Sequence, residues 1–205
     1  MDGLLLDTER LAKQTFLAAC VEYGWKPDLA GYDQCIGTTY EDTERILRQA
    51  YGPAFPFAEI RARWGELYEQ WVLQRPVPLR PGAAELLERF AELEIPCALA
   101  TSTRRELARA KLHHAGLESC FSYLVCAGEA PRGKPHPEPY LWAAAGIGEA
   151  PAACWALEDS NSGVRAAHAA GLRVFQVPDQ VAPSADIKAL GHSIVGSLLE
   201  VLHHL

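Results

Sequence analysis

Residues 154–163 read Cys154-Trp155-Ala156-Leu157-Glu158-Asp159-Ser160-Asn161-Ser162-Gly163. A short apolar run ends in two adjacent carboxylates, and a helical stretch over 162–170 follows. The same grammar extends to either side. Apolar runs at 97–100, 123–127, 154–157, 173–177 and 193–195 read as strands, with helices at 104–115, 137–145 and 162–170 between them. Strand–helix alternation predicts an α/β fold whose parallel sheet is covered on both faces. In such sheets the chemistry gathers at the carboxyl ends of the strands.

Upstream the period changes. Ala12, Phe16, Ala19 and Tyr23 recur at helical spacing, as do Phe57, Ile60, Trp64, Leu67 and Trp71. A further helix is expected over 41–51, after a turn at Gly37. The aromatic stripe reads first as helix-bundle core, with Trp64 or Trp71 at a ligand pocket as the alternative. Pro76, Pro78, Pro81 and Gly82 form a seam before a helix over 83–93.

Composition limits the partners. The 205 residues are 49% hydrophobic and 22% charged, enough to bury a core without staples. Nineteen basic against 26 acidic residues give a net charge of −7, which argues against bulk attraction to nucleic acid. The six cysteines form no CxxC pair, so neither a zinc cluster nor a dithiol motif is expected, and the predicted compartment is the reducing cytoplasm. No apolar run approaches the ~18 residues of a membrane span. Nothing in the sequence fixes an oligomeric state.

The strand ends carry the chemistry. After the run at 97–100 come Thr101, Ser102 and Thr103, hydroxyls that suit either an anion at a helix N-terminus or a plain helix cap. After 123–127 comes Gly133-Lys134-Pro135-His136-Pro137, where a lysine held between glycine and proline could neutralise a phosphate; His136 reads as a surface residue. Glu158 and Asp159 repel each other unless a cation or hydrogen bonds relieve them, and such oxygen ligands suit Mg²⁺. At the start, Asp2-Gly3 alone is a turn signal.

Together these residues resemble the haloacid dehalogenase-like hydrolase superfamily, in its phosphatase and beta-phosphoglucomutase-like branch. Asp2-Gly3-Leu4-Leu5-Leu6-Asp7-Thr8-Glu9, Thr101, Lys134 and Glu158-Asp159-Ser160 with Gly163 look like its four motifs, in order. The resemblance implies a Rossmann-like core from residues 1–8 and 78–205, and an inserted all-helical cap from 9–77. It also implies a Mg²⁺-dependent phosphatase of small phosphorylated metabolites, such as sugar or polyol phosphates, acting through an aspartyl-phosphate. Asp2 matches the acid–base residue, whose backbone carbonyl also meets the metal. Thr101, with Ser102, and Lys134 would hold the phosphoryl group, and Glu158 and Asp159 the Mg²⁺. Tyr40 and Trp64 are candidate cap contacts to substrate, with helix packing as the other reading.

The sequence departs from that pattern at its start. The first motif is Asp-x-Asp-Gly, and Met1 fills its middle position, so no residue matches the nucleophile. The central strand that would carry it has no counterpart either, and the resemblance implies an upstream strand ending in Asp. The alternative is a non-catalytic relative that binds phosphate and metal. A sugar phosphomutase is disfavoured, because neither Arg10-Leu11-Ala12-Lys13 nor Gly37-Thr38-Thr39-Tyr40 carries the His or Arg usual there.

Overall fold

The computed structural model describes residues 1–36, 38 and 40–205, so the expected turn at Gly37 lies outside the described residues, as does Thr39. The chain divides into two compact units, Thr8–Arg75 and Met1–Asp7 with Pro76–Leu205.

The first unit is helical: α1 (Thr8–Glu22), α2 (Leu29–Asp33), α3 (Tyr40–Tyr51) and α4 (Phe57–Gln74). Its core gathers Phe16, Cys20, Tyr32, Leu47, Phe55, Phe57 and Ile60, with Trp64 and Leu67 packed against it. The helical spacing therefore marks a buried face, with two corrections. Tyr23 lies beyond α1 and is exposed, and the inner residue near the end of α4 is Val72. α2 has no counterpart in the sequence reading, since its five residues are too few for a periodic signal; Asp28 starts it by accepting from Ala30 N at 3.1 Å.

The second unit alternates strand and helix: α5 (Ala83–Glu92), β1 (Ala98–Ala100), α6 (Arg105–His114), β2 (Tyr123–Val125), α7 (Glu138–Gly146), β3 (Trp155–Glu158), α8 (Asn161–Ala169), β4 (Arg173–Gln176), α9 (Ala185–Lys188), β5 (Ser193–Ile194) and α10 (Leu198–Val201). The pairings among these five strands are parallel. β1 pairs with β2, and β3, β4 and β5 form a second sheet in that order. Val164, Ala166 and Ala167 of α8 pack with Ala156, Val174 and Ile187. β2 stops at Val125, two residues short of expectation. The next N–H on the β1 side, on Ala127, donates to Thr103 O beyond the end of β1, while Cys126 N donates to the Glu129 carboxylate at 2.8 Å.

The first seven residues fold back on themselves. Leu5 N and Leu6 N both donate to Met1 O, at 2.8 and 3.1 Å. Asp7 N donates to Pro78 O and Arg80 N to Leu5 O, each at 2.8 Å, which ties this turn to the seam. Leu4, Leu5 and Leu6 are buried, so the apolar run after Asp2-Gly3 anchors the turn.

Candidate active site

The site is built from four chain segments of the second unit. β1 ends at Ala100, and buried Thr101 follows, its N–H donating to Val125 O at 2.9 Å. Its hydroxyl oxygen accepts from Thr103 N at 3.2 Å and so orders the loop. Thr101 is no helix cap, since α6 begins after Arg104 without a side-chain cap bond. Thr103 reaches the first segment instead, its hydroxyl donating to Asp2 Oδ2 at 2.7 Å. The other oxygen, Asp2 Oδ1, accepts from Lys111 Nζ at 2.6 Å. Burial would raise the Asp2 carboxyl, but the Lys111 ammonium, the Met1 amine and the two hydrogen bonds outweigh it and hold the carboxyl below its ordinary value.

Lys134 joins the two sheets. Its ammonium donates to Ala100 O at 3.0 Å and to the Glu158 carboxylate. Glu158 ends β3 in the buried interior, where Tyr140 also donates to it. Ser160 completes the set, giving Glu158 Oε2 its hydroxyl at 3.1 Å and its N–H at 3.3 Å, while its own oxygen caps α8 through Gly163 N. Only glycine fits at position 163, because a Cβ there would run into the Glu158 carboxylate. Burial pushes Glu158 up; Lys134 and the hydrogen bonds overcome it and keep the carboxyl ionised, well below the usual range. Tyr140 moves up, through burial and the charge beside it.

Asp159 has a different environment. Burial, and then the charge of Glu158, push its pKa up to about 7. Its carboxylate lies against Gly3, where a Cβ would come within 2.5 Å of Asp159 Oδ2 and 3.3 Å of Asp179 Oδ2. Gly3 also has φ +68°, so a side chain is excluded twice. Asp179 pairs with Arg80 at 2.8 Å, yet its Oδ2 is buried without a hydrogen-bond partner. The Met1 amine is buried in the same cluster, and burial lowers its pKa.

This donor set fits a hard divalent cation in part. Among the described residues no three His, Cys, Asp or Glu side chains converge on one point. Asp159 carries a carboxylate whose ionisation burial and Glu158 oppose, and Asp179 an orphaned oxygen that also lies against Gly3. Mg²⁺ takes one or two carboxylates and keeps its waters, so the shortage of protein ligands suits it. Glu158, with four hydrogen bonds already made, is the poorer direct ligand.

Of the residues expected from sequence, Asp2, Thr101, Lys134, Glu158 and Asp159 meet at these strand ends. Ser102 is exposed beside them. Tyr40 and Trp64 belong to the helical unit. The Trp64 ring packs edge-on at 5.3 Å from Phe16 and 5.8 Å from Tyr32, and Tyr40 is exposed with its ring 5.1 Å from Phe57. Lys111, Tyr140, Arg80 and Asp179 escaped the sequence reading, and Thr103, read there as an anion or cap hydroxyl, meets Asp2 instead. Lys111 left a trace: it stands four residues after Leu107 and beside Leu112, on the buried face of α6, where a charge needs a partner.

Comparison with known proteins places this geometry in a family. A family model described as haloacid dehalogenase-like hydrolase matches residues 1–177. A Drosophila melanogaster protein named "Probable pseudouridine-5'-phosphatase" is 35% identical over 190 residues, 87% of this chain and 79% of its own. A phosphorylated carbohydrates phosphatase of Thermotoga maritima is 32% identical over 180 residues, 86% of this chain and 82% of its own. Among solved structures, CbbY from Rhodobacter sphaeroides in complex with phosphate matches with a TM-score of 0.70 at 26% identity, covering 98% of this chain and 93% of that one.

Proposed function

From a chain that belongs to the haloacid dehalogenase-like hydrolase family, and to its phosphatases, we propose a Mg²⁺-dependent site for small phosphorylated metabolites, sugar or polyol phosphates above all. The observation that carries it is the meeting of Thr101, Lys134 and Asp159 at the carboxyl ends of β1 and β3. The names of the relatives support the substrate class. Six free cysteines support a cytoplasmic location; no helix among the described residues is long and apolar enough to cross a membrane.

Each residue then has a task. Thr101 accepts from Thr103 through its oxygen, so its own proton is left for a phosphoryl oxygen. Lys134 has two partners for three N–H groups, and the third serves the transferring phosphoryl group. Asp159, with Asp179 and the Asp2 backbone carbonyl nearby, would hold Mg²⁺, which supplies charge neutralisation to the phosphate when bound. Glu158 holds Lys134 in place. Asp2 is the acid–base group. Both its oxygens are engaged, so it must release Thr103 or Lys111 to reach a leaving group. The inserted helical unit acts as the cap, with Tyr40 as its exposed aromatic contact. The chain's residues supply the acid–base, phosphate and metal parts of a phosphoric monoester hydrolase. Hydrolysis is favoured over phosphoryl transfer between sugar positions, because the stretch 10–13 has no His and the stretch 37–40 no Arg, where the resemblance to mutases of this branch would put them.

Calorimetric titration of orthophosphate tests this reading. Binding should require Mg²⁺, weaken at least about tenfold in Lys134→Met and lose its Mg²⁺ dependence in Asp159→Asn. Orthophosphate binding that ignores both the cation and these substitutions contradicts it.

A further inference from the structure

β4 ends in a buried amide. Val174, Phe175 and Val177 beside it are apolar and buried, and Gln176 among them is 0% exposed. Burying an amide is unfavourable unless its groups find partners, and an apolar residue of similar volume would pack there without that cost. Gln176 stands opposite Glu158 in the parallel register of β3 and β4, so it reaches the stretch where the chain leaves β3 for α8. Its Nε2 lies 3.5 Å from Asp159 O and 3.4 Å from Asn161 Oδ1. Its Oε1 lies 2.8 Å from His192 Nε2.

One fixed donor sets the polarity of these contacts. Ser184 N is a main-chain N–H, which can only donate, and it reaches Asn161 Oδ1 at 3.4 Å. Asn161 therefore turns its oxygen to Ser184 and to Gln176. Two oxygens, Asp159 O and Asn161 Oδ1, then face one end of the Gln176 amide, so the nitrogen stands there and the oxygen turns to His192. That oxygen needs a donor, which puts a proton on His192 Nε2. Nδ1 of the same ring is buried without a hydrogen-bond partner. A second proton there would be a buried donor lacking an acceptor, so the ring is the neutral Nε2–H tautomer. Burial, and then His168 of α8, hold its pKa below the ordinary value, in the same direction.

The relay meets the main chain at Asp159. The Asp159 carboxylate lies against Gly3, and a turn of the peptide that follows it would swing the side chain off that position. The next residue is tied as well, since Ser160 N donates to Glu158 at 3.3 Å. We propose that Gln176 and His192 are positioning residues for the cation site: His192 orients the Gln176 amide, and the amide fixes the main chain of Asp159 so that its carboxylate stays at Gly3. This rests on the reading of Asp159 as the residue that holds Mg²⁺.

The test is calorimetric titration of the whole chain with Mg²⁺ alone, beside thermal unfolding of the same samples. Groups that hold a metal ligand in place are worth about 10–100-fold in affinity. Gln176→Leu nearly keeps the volume and removes the amide, and should weaken Mg²⁺ binding at least about tenfold. His192→Phe should weaken it in the same direction. His192→Gln places an N–H where Nε2 stood and should bind within about threefold of the parent. Nitrogen-15 spectra of the parent should show His192 protonated at Nε2 and bare at Nδ1. A Tm that falls in these variants while the Mg²⁺ affinity of the folded protein stays unchanged assigns the amide to packing and overturns the proposal. A His192 protonated at Nδ1 overturns it too, as does a His192→Gln no better than His192→Phe. Asp159→Asn separates the proposal from the reading beneath it. Affinity lost there and kept in both Gln176→Leu and His192→Phe overturns the proposal alone; affinity kept in Asp159→Asn overturns both.

Discussion

The two units use their interiors differently. In the helical unit the buried polar residues are threonines, Thr8, Thr15 and Thr43, among aromatic rings that stack and cross: Phe16, Tyr32, Phe55, Phe57 and Trp64. In the α/β unit the interior holds Lys111 and Glu158, ions that water would otherwise solvate. Apolar burial is non-directional and tolerates exchange of shape for similar shape. Buried charge tolerates nothing of the kind, because each ion depends on one partner at one place. Rings therefore report where the chain is held together, and paired interior charges report where it is arranged for chemistry. Trp64 illustrates the point: its helical spacing reads first as core, with a ligand contact as the alternative, and Phe16 and Tyr32 are its ring neighbours.

Four substitutions or conditions sharpen this contrast. Lys134→Met keeps the length of the side chain and removes the cation from buried Glu158. It should destabilise the chain by about 3–5 kcal/mol in urea unfolding at neutral pH, with Glu158 driven to take up a proton. A loss no larger than that of a surface change would erase the distinction between the units.

Next is pH. The Asp159 pKa is raised from 3.8 to about 7 in the folded chain. A folded-state pKa above the unfolded one gives stability that is present at low pH and lost as pH rises through the folded value. Metal-free protein should therefore lose this contribution between about pH 4 and about pH 7, against the opposite trend from Glu158, whose pKa is lowered. Asp159→Asn should remove the falling component, and Mg²⁺ should stabilise the parent increasingly as pH rises past 7, since it needs the ionised carboxylate. Unfolding curves collected across this range, with and without Mg²⁺, decide it; parallel profiles for parent and variant would contradict the assignment.

In the helical unit, Phe16→Leu should cost less than about 1.5 kcal/mol, as volume is nearly kept and no polar partner is lost. Smallest of all, Arg63→Ala breaks a surface pair with Glu22 and should leave the urea midpoint within its scatter.

The legible parts of this molecule are those with short-range causes. The five strands and the helices expected over 41–51, 83–93, 104–115, 137–145 and 162–170 fell where period and turn residues placed them, within a residue or two. Lys134 and the Glu158-Asp159 pair stood out because their local setting is odd for a surface. What stayed hidden depends on distant segments. Lys111 meets Asp2 across 109 positions and Thr103 meets it across 101, and neither pairing has a local signature. The same holds for Asp179, whose significance comes from Gly3 and Arg80 on other segments. Tyr40 was chosen for its ring, yet its side of the helical unit is set by packing with Phe57, which the sequence period alone does not orient.

The central claim is that one anion and one cation share the ends of β1 and β3. Diffraction from crystals soaked in Mg²⁺ and orthophosphate tests it most directly. The account predicts phosphate oxygens within hydrogen-bond reach of Thr101 and Lys134, and the cation on Asp159 beside Gly3. Phosphate ordered elsewhere, or a cation seated away from Asp159, would contradict it.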